Sequence, residues 1–180
     1  MENIQIVIGD KELTFSVRFE DDNDSGAPWA NEDGHGPVSG WERRNKRANE
    51  MVLNQDRGSY RFYDYAEACK IALRDGWDSY PLNDGSQSKR QQAAKAALAD
   101  FENLRAWCAN EWRYVGVIVT LLDDNGEETN VSESLWGVED KDDYHHIAAK
   151  ELADNLAHEY GTQWGEVTKT TYDYLTTGNN

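Results

Sequence analysis

An almost wholly apolar run at residues 114–122 constrains the fold of this chain more than any other stretch. It reads Tyr-Val-Gly-Val-Ile-Val-Thr-Leu-Leu, a composition typical of a strand buried on both faces. The turn residues Asp-Asp-Asn-Gly follow, and they predict a hairpin to a returning strand through Val131, Leu135 and Trp136. A helical pattern then covers residues 142–160, with a predicted buried face of Tyr144, Ile147, Ala148, Leu152, Leu156 and Tyr160. We expect the apolar residues of this region to form the centre of the fold.

A second hairpin is predicted near the N-terminus. Residues 4–8 and 13–19 alternate apolar and polar side chains on either side of a short polar turn, and this alternation is typical of half-buried strands. The predicted buried face of the second strand is Leu13, Phe15, Val17 and Phe19.

Two more helices are predicted between the hairpins. Asp64 and Ser88 each precede a Glu or Gln by three residues and predict capped helix starts, and Gly76 predicts the end of the first helix. A last edge strand is predicted within residues 164–176. The order predicts an α+β fold: an antiparallel sheet built from two β-hairpins with three helices packed on one face.

Residues 21–61 lack regular periodicity and predict a long irregular loop, which is uncommon inside a compact domain. The length of 180 residues favours a single domain over residues 1–180, with a loosely held C-terminal end after residue 176. No apolar run approaches the roughly 20 residues that cross a membrane. We therefore expect no membrane association.

The net charge of −16 is unevenly distributed along the chain. Residues 1–42 carry −8, residues 43–113 carry +3, and residues 114–180 carry −11. Two acidic arms thus flank a weakly basic middle. Such a chain repels nucleic acid and anionic membranes and attracts basic partners.

Carboxylates are densest on the 114–160 stretch. Alternate strand residues lie about 6.6–6.8 Å apart and helix residues i and i+4 about 6 Å apart, close to twice the 3.4 Å rise per phosphate of one DNA strand. One hypothesis is a surface that mimics DNA, and the alternative is an ordinary solvated face. The candidate partner-binding residues are Asp123, Asp124, Glu127, Glu128, Glu133, Glu139, Asp140, Asp142, Asp143, Glu151 and Asp154.

A basic and aromatic cluster at residues 41–63 suggests the opposite activity. Its cations could grip phosphates while aromatic rings stack on bases. The acidic arms disfavour direct nucleic-acid binding, and pairing of the arginines with the protein's own carboxylates is the preferred interpretation. The candidate nucleic-acid-binding residues of this alternative are Arg43, Arg44, Lys46, Arg47 and Arg57.

No motif for catalysis, a cofactor or a metal stands out, and we expect a protein without enzymatic activity. Residues 21–32 match the spacing of an EF-hand calcium loop, but a strand precedes them and no helix follows, so a polar turn is favoured. His145 and His146 are adjacent on a helix, where successive side chains point about 100° apart. They are not expected to hold a metal together.

Three stretches carry a resemblance. They are Gly-Pro-Val-Ser-Gly-Trp-Glu-Arg-Arg-Asn-Lys-Arg at residues 36–47, Asp-Arg-Gly-Ser-Tyr-Arg-Phe-Tyr-Asp at residues 56–64, and Glu-Ser-Leu-Trp-Gly-Val-Glu at residues 133–139. Together the stretches resemble small accessory proteins of tailed bacteriophages and prophages, a family with no established activity. No functional residue follows from this resemblance.

The resemblance implies a setting, the cytoplasm of an infected bacterium. Small acidic proteins in that setting are often inhibitors that mimic DNA and disarm restriction enzymes, CRISPR complexes, gyrase or transcription factors. We therefore expect a protein that binds and inhibits a basic, DNA-binding host protein or defence complex. Homodimer formation is left open.

Overall fold

The computed structural model describes residues 2–8, 11–31, 34–77, 88–162 and 172–175. The fold is α+β. In chain order its elements are β1 (Glu2–Ile8), β2 (Lys11–Asp21), α1 (Pro28–Asn31), β3 (Glu50–Asp56), β4 (Ser59–Asp64), α2 (Tyr65–Asp75), α3 (Lys89–Cys108), β5 (Tyr114–Leu122), β6 (Glu128–Glu139), α4 (Tyr144–Thr162) and β7 (Tyr172–Leu175).

The chain divides into two compact units. The sheet unit combines Met1–Asp24 with Arg113–Asn180, and the hairpin unit is Ser25–Trp112. The single domain predicted from the length stays a prediction. None of the helices within the described ranges is long and apolar enough to cross a membrane.

The sheet unit contains an antiparallel sheet with strand order β6-β5-β2-β1-β7. The two predicted hairpins, β1–β2 and β5–β6, are confirmed. The predicted last strand lies at the edge beside β1. The remainder of the predicted 164–176 strand, and the end after residue 176, lie outside the described residues.

Alternation along the strands creates the main core. Phe15 and Val17 of β2 are buried opposite Leu121 and Val119 of β5, while Leu13 and Phe19 are partly buried against the same cluster. The predicted apolar face of β2 is therefore confirmed. Because β5 lies between β2 and β6, most of its residues are buried.

Helix α4 covers this core with most of its predicted face: Ala148, Leu152 and Leu156 are buried, and Tyr160 packs against the same cluster. The prediction is wrong for Tyr144 and Ile147, whose side chains are 55% and 50% exposed. The alanines Ala149, Ala153 and Ala157 are buried in addition. Small residues let the helix backbone lie close to the sheet, and at 100° per residue they turn Tyr144 and Ile147 toward solvent.

The predicted irregular loop at residues 21–61 is wrong over its second half, where β3 and β4 pair as a hairpin. A register shift between Val52 and Asn54 breaks the two-residue alternation that would have revealed β3. The turn between the strands holds Arg57 and Gly58 at φ of 45° and 80°. Two positive φ values in a two-residue turn match the twist of a β-hairpin.

The predicted packing of three helices on one sheet face also differs from the structure. Helix α4 packs against the five-stranded sheet, whereas α2 and α3 pack against each other and against β3. Both helix starts occur where the caps predicted them: the carboxylate of Asp64 accepts the Glu67 backbone N–H, and Ser88 and Gln91 form a complete capping box. Gly76 ends α2 in a left-handed conformation.

A buried hydrogen-bond cluster stabilises the hairpin unit. The Tyr63 hydroxyl lies 2.7 Å from Asp100 Oδ2 and 2.9 Å from the Ala97 carbonyl oxygen. Asp100 also accepts the Gly36 N–H and lies 2.6 Å from His35 Nδ1. The Tyr63 ring rests on Gly36 so closely that a Cβ there would lie 2.5 Å from it. Burial and the Asp100 carboxylate raise the pKa of the Tyr63 hydroxyl.

Tyr63→Phe should lower the free energy of unfolding by about 1–3 kcal/mol, because the buried Asp100 carboxylate loses a donor. Urea denaturation measures the change. Tyr60→Phe is the matched control, since the Tyr60 hydroxyl bonds to none of the described residues, and it should change stability by less than about 0.5 kcal/mol. Equal effects of the two substitutions would contradict a structural role for the Tyr63 hydroxyl.

Candidate acidic binding surface

The fold collects nearly all of the net charge in one unit. The sheet unit contains 21 acidic and 6 basic residues, a net charge of −15, and the hairpin unit contains 13 acidic and 12 basic residues, a net charge of −1. The pairing of β2 with β5 contributes to this separation because it places residues 15–21 of the first acidic arm beside a strand of the last arm. Residues 1–24 of the first arm and the whole of the last arm therefore belong to one unit, while residues 25–42 belong to the other.

The turn between β5 and β6 carries Asp123, Asp124 and Glu127. One Asp123 oxygen accepts the backbone N–H groups of Glu127 and Asn125, each at 2.9 Å. Both hydrogen bonds lower the pKa of the Asp123 carboxyl, and the bond from the Glu127 N–H has the largest effect. Asp123 therefore shapes the turn, while Asp124 and Glu127 project from it with exposed side chains.

An open groove of about 800 Å³ lies beside this turn within the sheet unit. Glu12, Asp123 and Asp124 contribute to its wall together with Tyr160. A groove lined by carboxylates and an aromatic ring suits a Lys or Arg side chain.

Strand β6 itself carries fewer carboxylates than the hypothesis of DNA mimicry requires. Glu128 accepts a hydrogen bond from Ser16 and lies 3.8 Å from Arg18, and Glu133 is exposed. Glu128, Glu133 and Glu139 lie opposite residues of β5 that are three and five positions apart, so they are separated by about 10 and 17 Å along the sheet. The predicted phosphate-like spacing of about 6.6–6.8 Å therefore does not occur along this strand.

The other end of β6 forms the densest group of carboxylates, which we name the acidic corner. Its members are Asp21, Asp22, Glu139, Asp140, Asp142 and Asp143. Arg113 bridges Asp21 and Asp140 at 3.0 and 3.3 Å, and Lys141 lies 3.1 Å from Glu139. Two cations thus neutralise part of a cluster of six carboxylates.

Backbone geometry holds two of these carboxylates outward. Asp142 and Asp143 adopt φ of 50° and 60°, a left-handed conformation that Asp and Asn tolerate better than most residues. Their successive left-handed turns delay the start of α4 from the predicted residue 142 to Tyr144. Both side chains are exposed.

The two remaining candidates lie on α4. Glu151 is on its exposed side and Asp154 is half-buried. Across the whole predicted set, six carboxylates form no ion pair or side-chain hydrogen bond with any residue in the described part of the chain. These six are Asp124, Glu127, Glu133, Asp142, Asp143 and Glu151.

The cations of residues 43–57 are partly engaged within the hairpin unit. Arg44 binds Glu50 through two bonds of 2.6 and 2.8 Å, also binds Glu42, and lies 4.1 Å from the Phe62 ring centroid. Arg47 lies 3.8 Å from Glu50. Pairing with the protein's own carboxylates, the preferred interpretation, therefore holds for these two arginines.

Three other cations of the cluster are more exposed. Arg43 donates a 3.3 Å bond to Ser59, and Arg57 is 92% exposed with Asp56 at 4.0 Å. Lys46 is exposed as well. Together with Arg47, these side chains remain the candidates of the nucleic-acid-binding alternative.

The two adjacent histidines of α4 lie side by side, although successive side chains of a helix point about 100° apart. The rings of His145 and His146 lie 4.1 Å apart and both contact the edge of Phe19, while His146 Nδ1 lies 3.2 Å from Glu2. Burial first, and then the neighbouring His146, lower the pKa of His145.

A calcium loop at residues 21–32 receives no support from the geometry. Asp21 is engaged by Arg113, Asp22 accepts the Gly137 N–H, and Glu32 lies outside the described residues. Within the described ranges, no group of three His, Cys, Asp or Glu side chains is placed to hold a metal ion.

Sequence reasoning missed an apolar edge on β6. Leu135 and Trp136 were expected in the core, yet they are 45% and 49% exposed. Strand β6 is the last strand on its side of the described sheet, so its side chains have neighbours on one flank only. Two glycines are the sequence features that accompany this exposed edge. Gly116 leaves room for the Trp136 ring, and Gly137 adopts a φ of 75° at a bulge.

The pH dependence of the stability of Glu50→Gln tests whether Glu50 is paired with the arginines of the basic cluster. Hydrogen bonds from Arg44, and then from the Arg47 N–H, lower the pKa of Glu50 from its ordinary 4.5 to about 2. A carboxyl whose pKa falls on folding stabilises the protein above its unfolded pKa, and this contribution disappears as the pH falls toward the folded value. Glu50→Gln should therefore destabilise near neutral pH and progressively less between roughly pH 4.5 and pH 2.

Urea denaturation of parent and variant over this range measures the difference. Glu67→Gln is a control, since its ion pair with Lys70 is largely exposed and such pairs contribute about 0–1 kcal/mol. A destabilisation by Glu50→Gln that is independent of pH would contradict the assignment.

Comparison with known proteins gives no match to a family model, to a curated protein or to a solved structure. The resemblance to bacteriophage accessory proteins, based on residues 36–47, 56–64 and 133–139, stays a prediction. Function is therefore inferred from the charge and geometry of this chain alone.

Proposed function

We propose that this chain is a non-enzymatic binding protein whose sheet unit occupies the DNA-binding groove of a basic bacterial protein or defence complex and thereby inhibits it. The observation that carries the proposal is the net charge of −15 on the sheet unit against −1 on the hairpin unit. A field of one sign accelerates encounter with a basic partner and repels DNA and anionic lipid.

Unpaired carboxylates make binding favourable at the point of contact. The six without an ion pair among the described residues can meet Lys or Arg side chains without first breaking a bond of their own. Asp142 and Asp143 suit this role because the backbone fixes them outward. Preorganised charge costs less entropy on binding than charge on a mobile loop.

The arrangement changes the form of mimicry that the sequence suggested. The carboxylates form two groups, the β5–β6 turn and the acidic corner, at opposite ends of β6. Strand β6 has 12 residues, but its two bulges fit them against the nine residues of β5, from Leu122 opposite Glu128 to Tyr114 opposite Glu139. Its ends therefore lie about 26 Å apart at roughly 3.3 Å per residue of β5, which is shorter than one turn of B-DNA at about 34–36 Å. We propose that the two groups replace two separate clusters of phosphates in the target's groove rather than one continuous row.

The alternative is a nucleic-acid-binding accessory protein that uses residues 41–63. The exposure of Arg43, Lys46 and Arg57 favours it. Against it stand the near-neutral charge of the hairpin unit and the engagement of Arg44 by Glu42 and Glu50. A bacterial cytoplasm during phage infection is the proposed setting for both functions.

The first test is capture of partners from bacterial lysate, followed by elution with short double-stranded DNA. DNA-binding proteins should be retained at low salt and released by the DNA and by about 1 M NaCl, since charge-matched contacts are screened at high ionic strength. The key variant combines Glu133→Gln, Asp142→Asn, Asp143→Asn and Glu151→Gln, which removes four unpaired charges. Affinity should fall by about fourfold to several hundredfold, because each of the four exposed pairs contributes roughly 0.2–1 kcal/mol.

A charge-matched control combines Asp56→Asn, Asp75→Asn, Glu102→Gln and Glu111→Gln, all exposed positions of the hairpin unit. It changes net charge equally and should retain the partner. Retention at 1 M NaCl, or equal loss of affinity in both variants, would rule out the acidic surface as the binding site. A gel shift with DNA that depends on Arg43 and Arg57 would favour the alternative.

A further inference from the structure

The outer edge of β6 has the features of a docking site for a peptide strand. Strand β6 pairs with β5 alone among the described strands. An edge strand directs the N–H and C=O groups of every second residue away from the sheet, where another chain can bind them. Residues 132–136 are all exposed.

Two bulges bound a regular segment of this edge. Register shifts interrupt the β5–β6 pairing beside Trp136 and again between Ser132 and Glu128. Between them, four consecutive residues, Ser132 to Leu135, stay in register with Thr120 to Val117. Bulges twist an edge and terminate pairing, so an added strand would have about four or five residues in contact.

Side chains on both faces flank this segment. Leu135 and Glu133 pair with Val117 and Val119, so they lie on the face that packs against α4. Trp136 lies on the opposite face, with its ring against Gly116. Half-exposed Trp and Leu side chains beside an open backbone edge are typical anchors for a bound peptide.

Charge decides which chain fits this edge. Strand β6 contains neither the Lys nor the Pro that often protects exposed edges. Its protection is negative charge, with Glu133 in the middle of the segment. This charge repels a second copy of a unit that carries −15, and it attracts a chain bearing Lys or Arg.

We propose that β6 binds an extended, Lys- or Arg-rich segment of the partner as an added antiparallel or parallel strand, with basic side chains near Glu133 and apolar ones near Leu135 and Trp136. The inference rests on the proposed function, since it names how the basic partner is held. The outward N–H and C=O groups of β6 form a strand pairing only with another polypeptide backbone. This distinguishes the site from a surface that mimics DNA by charge alone.

A capped Lys-Val-Lys-Val-Lys-Val peptide and the same peptide with every backbone nitrogen methylated form the decisive pair of probes. Both carry the same charge, but only the first can donate to β6. The unmethylated peptide should bind at least about tenfold more tightly, since it alone can donate two or three backbone hydrogen bonds to β6. Amide hydrogen exchange should slow at residues 132–136 with this peptide only.

Protein variants distinguish binding at the β6 edge from attraction by the overall negative charge of the sheet unit. Trp136→Ala and Glu133→Lys should each weaken binding of the unmethylated peptide, whereas Glu151→Lys makes the same charge change on α4 and should have a smaller effect. Circular dichroism establishes that each variant is folded.

Equal affinity for the two peptides would overturn the inference while leaving the acidic surface intact, because it would show contact by charge alone. Absence of binding, or protection outside β6, would overturn it too. A dimer with protected β6 amides in the absence of peptide would make a second copy the occupant and contradict the proposal. Failure of the proposed function would be seen in a different experiment: partners captured from lysate would not be displaced by DNA.

Discussion

The pairing of β2 with β5 is the interaction on which the sheet unit depends. It joins two hairpins that are more than 90 residues apart in the sequence and buries Phe15, Val17, Val117 and Val119 between them. The same pairing places residues 1–24 beside residues 113–180 and so concentrates a charge of −15. The apolar core offsets the mutual repulsion of carboxylates that lie on its surface.

The distribution of cations explains why this charge is available to a partner. Arg44 and Arg47 are engaged by Glu50 in the hairpin unit. In the described part of the sheet unit, Arg18 lies near Glu128, Arg113 bridges Asp21 and Asp140, and Lys141 lies near Glu139. Uncompensated surface charge destabilises a fold slightly but drives association with a basic partner. The β6 edge, with Leu135 and Trp136, adds apolar contacts and backbone groups that charge alone lacks.

Much of the fold could be predicted because the local sequence patterns favour the same elements that the packing of the folded chain requires. The alternation of β2, the apolar run of β5 and the caps at Asp64 and Ser88 correspond to the observed elements. Strand β3 could not be predicted because its bulge breaks the alternation. The exposed side of α4 could not be predicted, because its buried face includes alanines that pack by their small size. The exposure of Leu135 and Trp136 could not be predicted either, because it depends on the order of strands in the sheet, which hydropathy does not encode. The candidate carboxylates were visible in the sequence, but their division into two groups and their ion pairs were not.

Carboxylate footprinting tests the central claim most directly. The protein is treated with a carbodiimide and glycinamide, with and without a partner captured and eluted by DNA, and the modified residues are identified by mass spectrometry. The account predicts protection of Asp124, Glu133, Asp142 and Asp143 in the sheet unit and unchanged labelling of Asp56, Glu102 and Glu111 in the hairpin unit. Protection confined to the hairpin unit, or none in the sheet unit, would contradict it.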